Sequence, residues 1–148
     1  MTGQPPFPGE SVHASTVAID GRAVLITGPS GSGKSDLALR LIDRGFSLVS
    51  DDQTIVRRDG DRLLASAPPT IAGKLEVRGI GIIDMETVDD VPVGLVVELT
   101  SEIQRLPDDD RERPLLGVPL PLVAIDAAAA SAPAKVALAL DRLGLPRK

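Results

Sequence analysis

The chain has 148 residues, a net charge of −5 and a pI of about 4.8, the opposite sign to most nucleic-acid binders. One domain, residues 1–148, is expected at this length. Hydrophobic residues at 43% and charged residues at 25% exclude a disordered chain, and the absence of cysteine excludes a disulfide scaffold or a thiolate metal site.

Residues 1–10 are rich in Pro and Gly and read as a loose lead-in. Residues 11–20 alternate well enough for a strand, Asp20-Gly21 is a hairpin turn signal, and residues 23–27 form the return strand. Gly28-Pro29-Ser30-Gly31-Ser32-Gly33-Lys34-Ser35 then fills every fixed position of the phosphate-binding pattern G-x-x-x-x-G-K-S. Apolar side chains at 37, 38, 41 and 42 give the next segment a helical spacing, with Gly45 as its stop. The motif therefore lies between a strand and a helix. That order favours phosphate binding over a merely flexible Gly/Ser loop.

Residues 46–50 read as a second short apolar strand, followed at once by Asp51-Asp52. Residues 53–58 and 62–67 pair across a turn, and Pro68-Pro69 break the pattern. Residues 73–84 alternate charge with apolar, then Gly with Ile, and read as an exposed functional loop running into a strand. Residues 91–99 are nearly all apolar and read as a central strand. Residues 100–113 are polar, with Asp108-Asp109-Asp110 as a solvated run, and residues 115–125 read as one Pro-interrupted strand. An Ala-rich C-terminal helix is expected within 126–144, best over 134–143, ended by Gly144 and Pro146. There is no internal repeat. With two Phe and no Tyr or Trp, the core is built from Val, Leu, Ile and Ala, and bases have little aromatic surface to stack on. No apolar run is long enough to span a membrane, and the N-terminus lacks a signal-peptide pattern, so a cytoplasmic location is expected.

Glycines at 28, 31 and 33 let successive N–H groups turn inward around a polyphosphate, aided by the positive end of the helix. Lys34 reaches the outer phosphates and the Ser35 hydroxyl holds magnesium. In open α/β sheets ligands bind at the carboxyl ends of strands. Asp51 and Asp52 are therefore expected near the terminal phosphate, one for proton transfer and one for support. The competing reading is a surface turn capped by Asp. His13, the sole histidine, matters chemically if it folds beside Asp51 and is otherwise structural. Glu76 and Arg78 stand two apart, so on a strand they share a face, either as part of a magnesium shell or as a weak ion pair.

The order of His13, the phosphate loop, Leu48-Val49-Ser50-Asp51-Asp52 and Leu75-Glu76-Val77-Arg78-Gly79-Ile80-Gly81-Ile82-Ile83-Asp84 closely resembles the catalytic domain of HPr kinase/phosphorylase. The likeness is strong over residues 11–84 and weaker beyond. The last of these segments is far more specific than the phosphate loop. The resemblance implies an α/β fold, a P-loop kinase core like the nucleotide-binding domain of phosphoenolpyruvate carboxykinase, with a mixed sheet and an N-terminal hairpin. It implies an ATP- and Mg2+-dependent kinase that phosphorylates a serine of the phosphocarrier HPr or its nitrogen-branch relative. Members also remove that phosphate by attack of inorganic phosphate, and assemble as hexamers.

Carried over, Lys34 stabilises phosphate charge, Ser35 and Glu76 ligate magnesium, and Asp51 takes the serine proton. His13 modulates Asp51, and Asp52 supports the site. Arg105 matches a family arginine. Two departures stand out. The family's usual N-terminal domain is missing, which implies a short form. A basic loop tied to dephosphorylation is replaced, at residues 119–126, by a stretch without arginine, so weak or absent phosphorylase activity is expected. The alternatives are a small-molecule kinase on the same core and a catalytically inactive nucleotide-binding regulatory module.

Overall fold

The computed structural model describes residues 9–103 and 111–145. Among these residues eleven strands and two helices follow in chain order: β1 (Glu10–Val12), β2 (Ala14–Ile19), β3 (Arg22–Thr27), α1 (Lys34–Asp43), β4 (Ser47–Ser50), β5 (Thr54–Asp59), β6 (Arg62–Ser66), β7 (Lys74–Val77), β8 (Gly81–Asp84), β9 (Val91–Leu99), β10 (Glu112–Leu115), β11 (Val118–Ile125) and α2 (Ala132–Leu143). The main sheet runs β1-β5-β6-β9-β3-β2-β4, with β11 beside β9 and β10 beside β11. It is mixed: β3 and β11 lie parallel to β9, while β6 lies antiparallel to it. The class expected from the sequence, α/β with a mixed sheet and an N-terminal hairpin, is the one observed. Asp20 and Gly21 both take positive φ at the β2–β3 turn, 53° and 72°.

Two aliphatic cores lie on opposite faces of the sheet. On the helix face, Val24, Ile26, Leu95 and Val97 pack against Leu37 and Leu41 of α1 and Val136 and Leu140 of α2. On the other face, Leu25, Val93 and Val96 pack with Val56, Leu63 and Leu120. The alternation along β3 and β9 sends neighbouring side chains to different cores.

The feature that builds the site is a shared corner. The β2–β4 ladder ends at Thr16↔Ser50, and the β1–β5 ladder begins at Val12↔Thr54. Between them, His13, Ala14 and Ser15 face Asp51, Asp52 and Gln53 where both chains leave one ladder for the next. Side chains satisfy the buried backbone there. Thr54 Oγ1 donates to Ala14 O at 2.9 Å and lies 2.8 Å from Thr16 Oγ1, and Ser50 Oγ donates to Gln53 O.

Three segments differ from the sequence expectation. Residues 73–84 form a hairpin, β7–β8, rather than a loop; Leu75 is fully buried against the helix-side core and fixes it there. Residues 112–125 form a second hairpin, β10–β11, rather than one strand, because Leu116 and Gly117 both take positive φ, a conformation leucine does not advertise. The last helix starts at Ala132, not 126. Asp126 accepts the Ala128 N–H into a bend, and the helix begins with Pro133 in its first turn. The lead-in of residues 1–8, the 108–110 run and Pro146 lie outside the described residues. Among the described residues, no helix is long and apolar enough to cross a membrane.

Arg22, 3% exposed, ties α2 to the sheet. Its guanidinium donates to Leu140 O and Leu145 O at 3.2 Å each and to Asp141 Oδ1 at 2.9 Å. Positive charge at a helix C-terminus also complements the macrodipole. Arg22→Ala is predicted to cost about 2 kcal/mol through orphaned carbonyls. A urea titration should show a lower midpoint at unchanged slope.

Candidate active site

The loop from Gly28 to Gly33 joins β3 to α1. Gly28 has φ 155°, which residues with a Cβ rarely adopt, and a Cβ there would stand 2.7 Å from Ser32 Oγ, so the loop as built favours glycine. Gly33 is the N-cap of α1 at φ 100°, and no side chain caps the helix. Its first N–H groups are thus left for a ligand. Lys34 is buried, and its Nζ donates to Gly28 O at 2.9 Å and Pro29 O at 3.0 Å. An ammonium has three donors, so one is left for a phosphate. Ser32 Oγ is buried without a hydrogen-bond partner among the described residues. A glycine-built cradle, an uncapped helix end and a spare lysine donor fit a polyphosphate.

Asp51, 8% exposed, is held on both oxygens. Ser15 Oγ donates to its Oδ1 at 2.8 Å and Ser35 Oγ to the same oxygen at 2.6 Å, while the Glu76 N–H donates to Oδ2 at 3.1 Å. Asp51 thereby joins β2, α1 and β7. Asp52 takes a different place. Its φ is 66°, and the Gln53 N–H closes a tight turn onto Asp51 O at 2.7 Å. The Asp52 N–H donates to Ser15 Oγ at 3.1 Å. Its carboxylate, 66% exposed, lies 2.9 Å from His13 Nε2.

The expectation that His13 acts on Asp51 is therefore corrected: its partner is Asp52. The cause is the corner. Once β4 ends at Ser50, the tight turn rotates Asp52 outward to the strand break that carries His13, while Asp51 stays beneath the loop. Ser15 was missed by the sequence reading. Its signal was slight, two polar residues, Ser15 and Thr16, in an otherwise apolar strand.

An open cleft of about 820 Å3 lies between the phosphate loop and the β7–β8 hairpin. Ser30, Gly31, Lys34 and Ser35 line one wall; Glu76, Ile80 and Ile82 of the β7–β8 hairpin line the other, and Asp52 stands between. The volume falls within the roughly 300–1,000 Å3 of small-ligand sites. Arg78 lines the cleft from the turn, past the end of β7 at Val77, so the shared strand face expected with Glu76 does not form. Arg105 lies outside the described residues. No cluster of three His, Cys, Asp or Glu suited to a metal occurs among the described residues. Magnesium commonly keeps several waters and takes one or two protein ligands plus phosphate oxygens, which Ser35 and Glu76 fit.

Residues 7–139 match the family described as the HPr Serine kinase C-terminal domain. HPr kinase/phosphorylase of Chlorobaculum tepidum is 41% identical over 128 residues, covering 77% of this chain and 37% of the relative. That of Cupriavidus necator is 39% identical over 134 residues, covering 82% of this chain and 42% of its own. The chain thus spans about two fifths of the length of the curated relatives it matches. The solved structure of the Hpr(Ser) kinase/phosphatase from Coxiella burnetii aligns with a TM-score of 0.75 and 33% identity over 86% of each chain. With the family model matched over most of its length and a solved relative sharing its fold, the chain belongs to the HPr serine kinase C-terminal domain family.

Proposed function

We propose that this chain is an ATP- and Mg2+-dependent protein-serine kinase whose acceptor is the phosphocarrier HPr or its nitrogen-branch relative. The observation that carries the reading is the common cleft: the phosphate cradle and Asp52, whose carboxylate is paired with His13, line one cavity. The relatives' names supply the acceptor.

In this reading the loop N–H groups and Lys34 hold the polyphosphate, and Ser35 and Glu76 hold magnesium. Magnesium, when bound, supplies positive charge to the phosphate oxygens. Asp52, rather than Asp51, takes the acceptor's proton. It is an exposed acid lining the cleft, and alone among the cleft's acids it is paired with His13, at 2.9 Å. Asp51 already accepts three hydrogen bonds, so an incoming hydroxyl would have to displace one of them. Its role is to hold Ser35, whose O–H donates to Asp51 and whose oxygen lone pairs would thereby be free to ligate a metal. The acceptor oxygen bonds to the terminal phosphorus, the bond to ADP breaks, and the hydroxyl proton passes to Asp52. A homo-oligomer, expected as a hexamer, and a cytoplasmic location belong to the same reading.

The segment before α2 that meets the phosphate loop is residues 126–131. Arg40 donates to Ala127 O at 2.6 Å, and a Cβ on Gly33 would stand 3.3 Å from that of Ala127. This segment holds no Lys or Arg, so incoming inorganic phosphate finds no cation from it.

Three outcomes are predicted. Mass spectrometry of HPr incubated with this protein, ATP and magnesium should find phosphate on a serine; label on a metabolite, or nucleotide binding without transfer, would favour the alternatives. Asp52→Asn should lower kcat by about 10²–10⁴-fold with KM for ATP little changed, whereas Asp51→Asn should chiefly raise the magnesium requirement. Pyrophosphate release from serine-phosphorylated HPr should run about 10²-fold below the forward reaction; equal efficiency would contradict the proposal.

A further inference from the structure

Asp52 sits at φ 66°, a conformation that a non-glycine residue keeps when its surroundings hold it. Its pair with His13 joins side chains that are 66% and 42% exposed, too open to water to fix the acid in place. The turn closed by the Gln53 N–H onto Asp51 O lies within residues 51–53 and sets no position relative to the neighbouring strand. The bond that ties the Asp52 backbone to that strand, β2, runs from its N–H to Ser15 Oγ at 3.1 Å.

The fold of β2 does not call for a hydroxyl at Ser15. Val17 belongs to the helix-side core, and Ser15, two residues before it, shares its face. An apolar side chain there would extend that core. Ser15 is instead fully buried, where a hydroxyl without partners costs stability. Both of its bonds go to the acid pair. Their polarity is fixed. A carboxylate accepts and an N–H donates, so the one hydroxyl hydrogen goes to Asp51 Oδ1 at 2.8 Å and a lone pair takes the Asp52 N–H. Donation to a carboxylate makes the same oxygen a better acceptor, so the two bonds strengthen each other. The ladder places Ser15 for this. The register of β2 against β4 shifts between Val17 and Thr16, the ladder ends at Thr16↔Ser50, and Ser15 is the next residue.

We propose that Ser15 is the positioning residue for the base: its hydroxyl carries the fixed position of Asp51 to the Asp52 backbone and so aims the Asp52 carboxylate at the acceptor hydroxyl. The inference rests on the kinase reading, in which Asp52 takes the proton, and deepens it. Asp51 serves as the fixed point because Ser35 of α1 and the Glu76 N–H of β7 also hold it. Ser15 acts through Asp52 and touches neither phosphate nor acceptor. Aim matters at this scale, since a misplacement of about 1 Å can cost about 10²-fold in rate.

The test uses the whole chain, purified HPr and saturating ATP and magnesium. Ser15→Ala removes the hydroxyl without adding bulk. It should lower kcat about tenfold, the size of losing one buried hydrogen bond, with KM for ATP unchanged. In an Asp52→Asn background the same change should cost nothing further, because no base is left to aim. A second readout needs neither nucleotide nor acceptor. His13 is the sole histidine, so its ring gives a single set of NMR signals. In Ser15→Ala those signals should move toward their positions in Asp52→Asn, as the carboxylate leaves Nε2. A residue that merely packs would leave them in place. Ring signals of Ser15→Ala that match the wild type, or an equal loss of kcat in both backgrounds, would overturn the proposal. Should Ser15→Ala fail to fold, Ser15→Cys, close in size with a weaker donor and acceptor, is read in the same way. If the wild type transfers no phosphate to HPr, the kinase reading falls, and the ring signals still decide whether Ser15 places Asp52.

Discussion

Three donors converge on the Asp51 carboxylate, and they come from three separate elements: the Ser15 hydroxyl of β2, the Ser35 hydroxyl of α1 and the Glu76 N–H of β7. The site depends on this convergence. Without it the phosphate loop, the strand corner and the β7–β8 hairpin would have no common reference. A carboxylate suits the position because it accepts several hydrogen bonds at once and donates none. Its burial strengthens each bond, and it makes loss of any one donor costly.

The corner explains why the two adjacent acids differ. On a regular strand Asp51 and Asp52 would alternate faces, and either could have turned toward the cleft. Here β2–β4 pairing stops at Ser50, and a residue with φ 66° follows. Such a φ is uncommon outside glycine, though Asp tolerates it better than most. The turn keeps Asp51 beneath the loop and moves Asp52 to His13. Local backbone strain of this kind recurs at functional sites, held by the structure around it. Here the Ser15 hydroxyl holds both acids at once, accepting the Asp52 N–H while donating to Asp51.

How far the sequence could be read follows from the range of each interaction. The phosphate loop, the Lys34–Ser35 pair and α1 were legible because contiguous residues specify them. Strands β3 and β9 were legible because both sides of each are buried, leaving near-continuous apolar runs. The pairing of His13 with Asp52 was not, since it is settled by a register across 39 residues and by a single tight turn. Leu116 at positive φ concealed the β10–β11 hairpin, and the Lys74–Asp84 ion pair closing β7–β8 appears only once the two strands are in register. Ser15 looked like a minor polar interruption in an apolar strand, although it is fully buried and bonded to both acids.

The proposed division of labour between Asp51 and Asp52 can be checked in a crystal structure with magnesium and a non-hydrolysable ATP analogue. The Ser35 oxygen is expected to ligate the metal while its O–H still points at Asp51, and Asp52, still beside His13, to face the open side of the terminal phosphate. If instead Asp51 has released Ser35 and turned to that open side, with Asp52 pointing into solvent, the assignment of the base made here is contradicted.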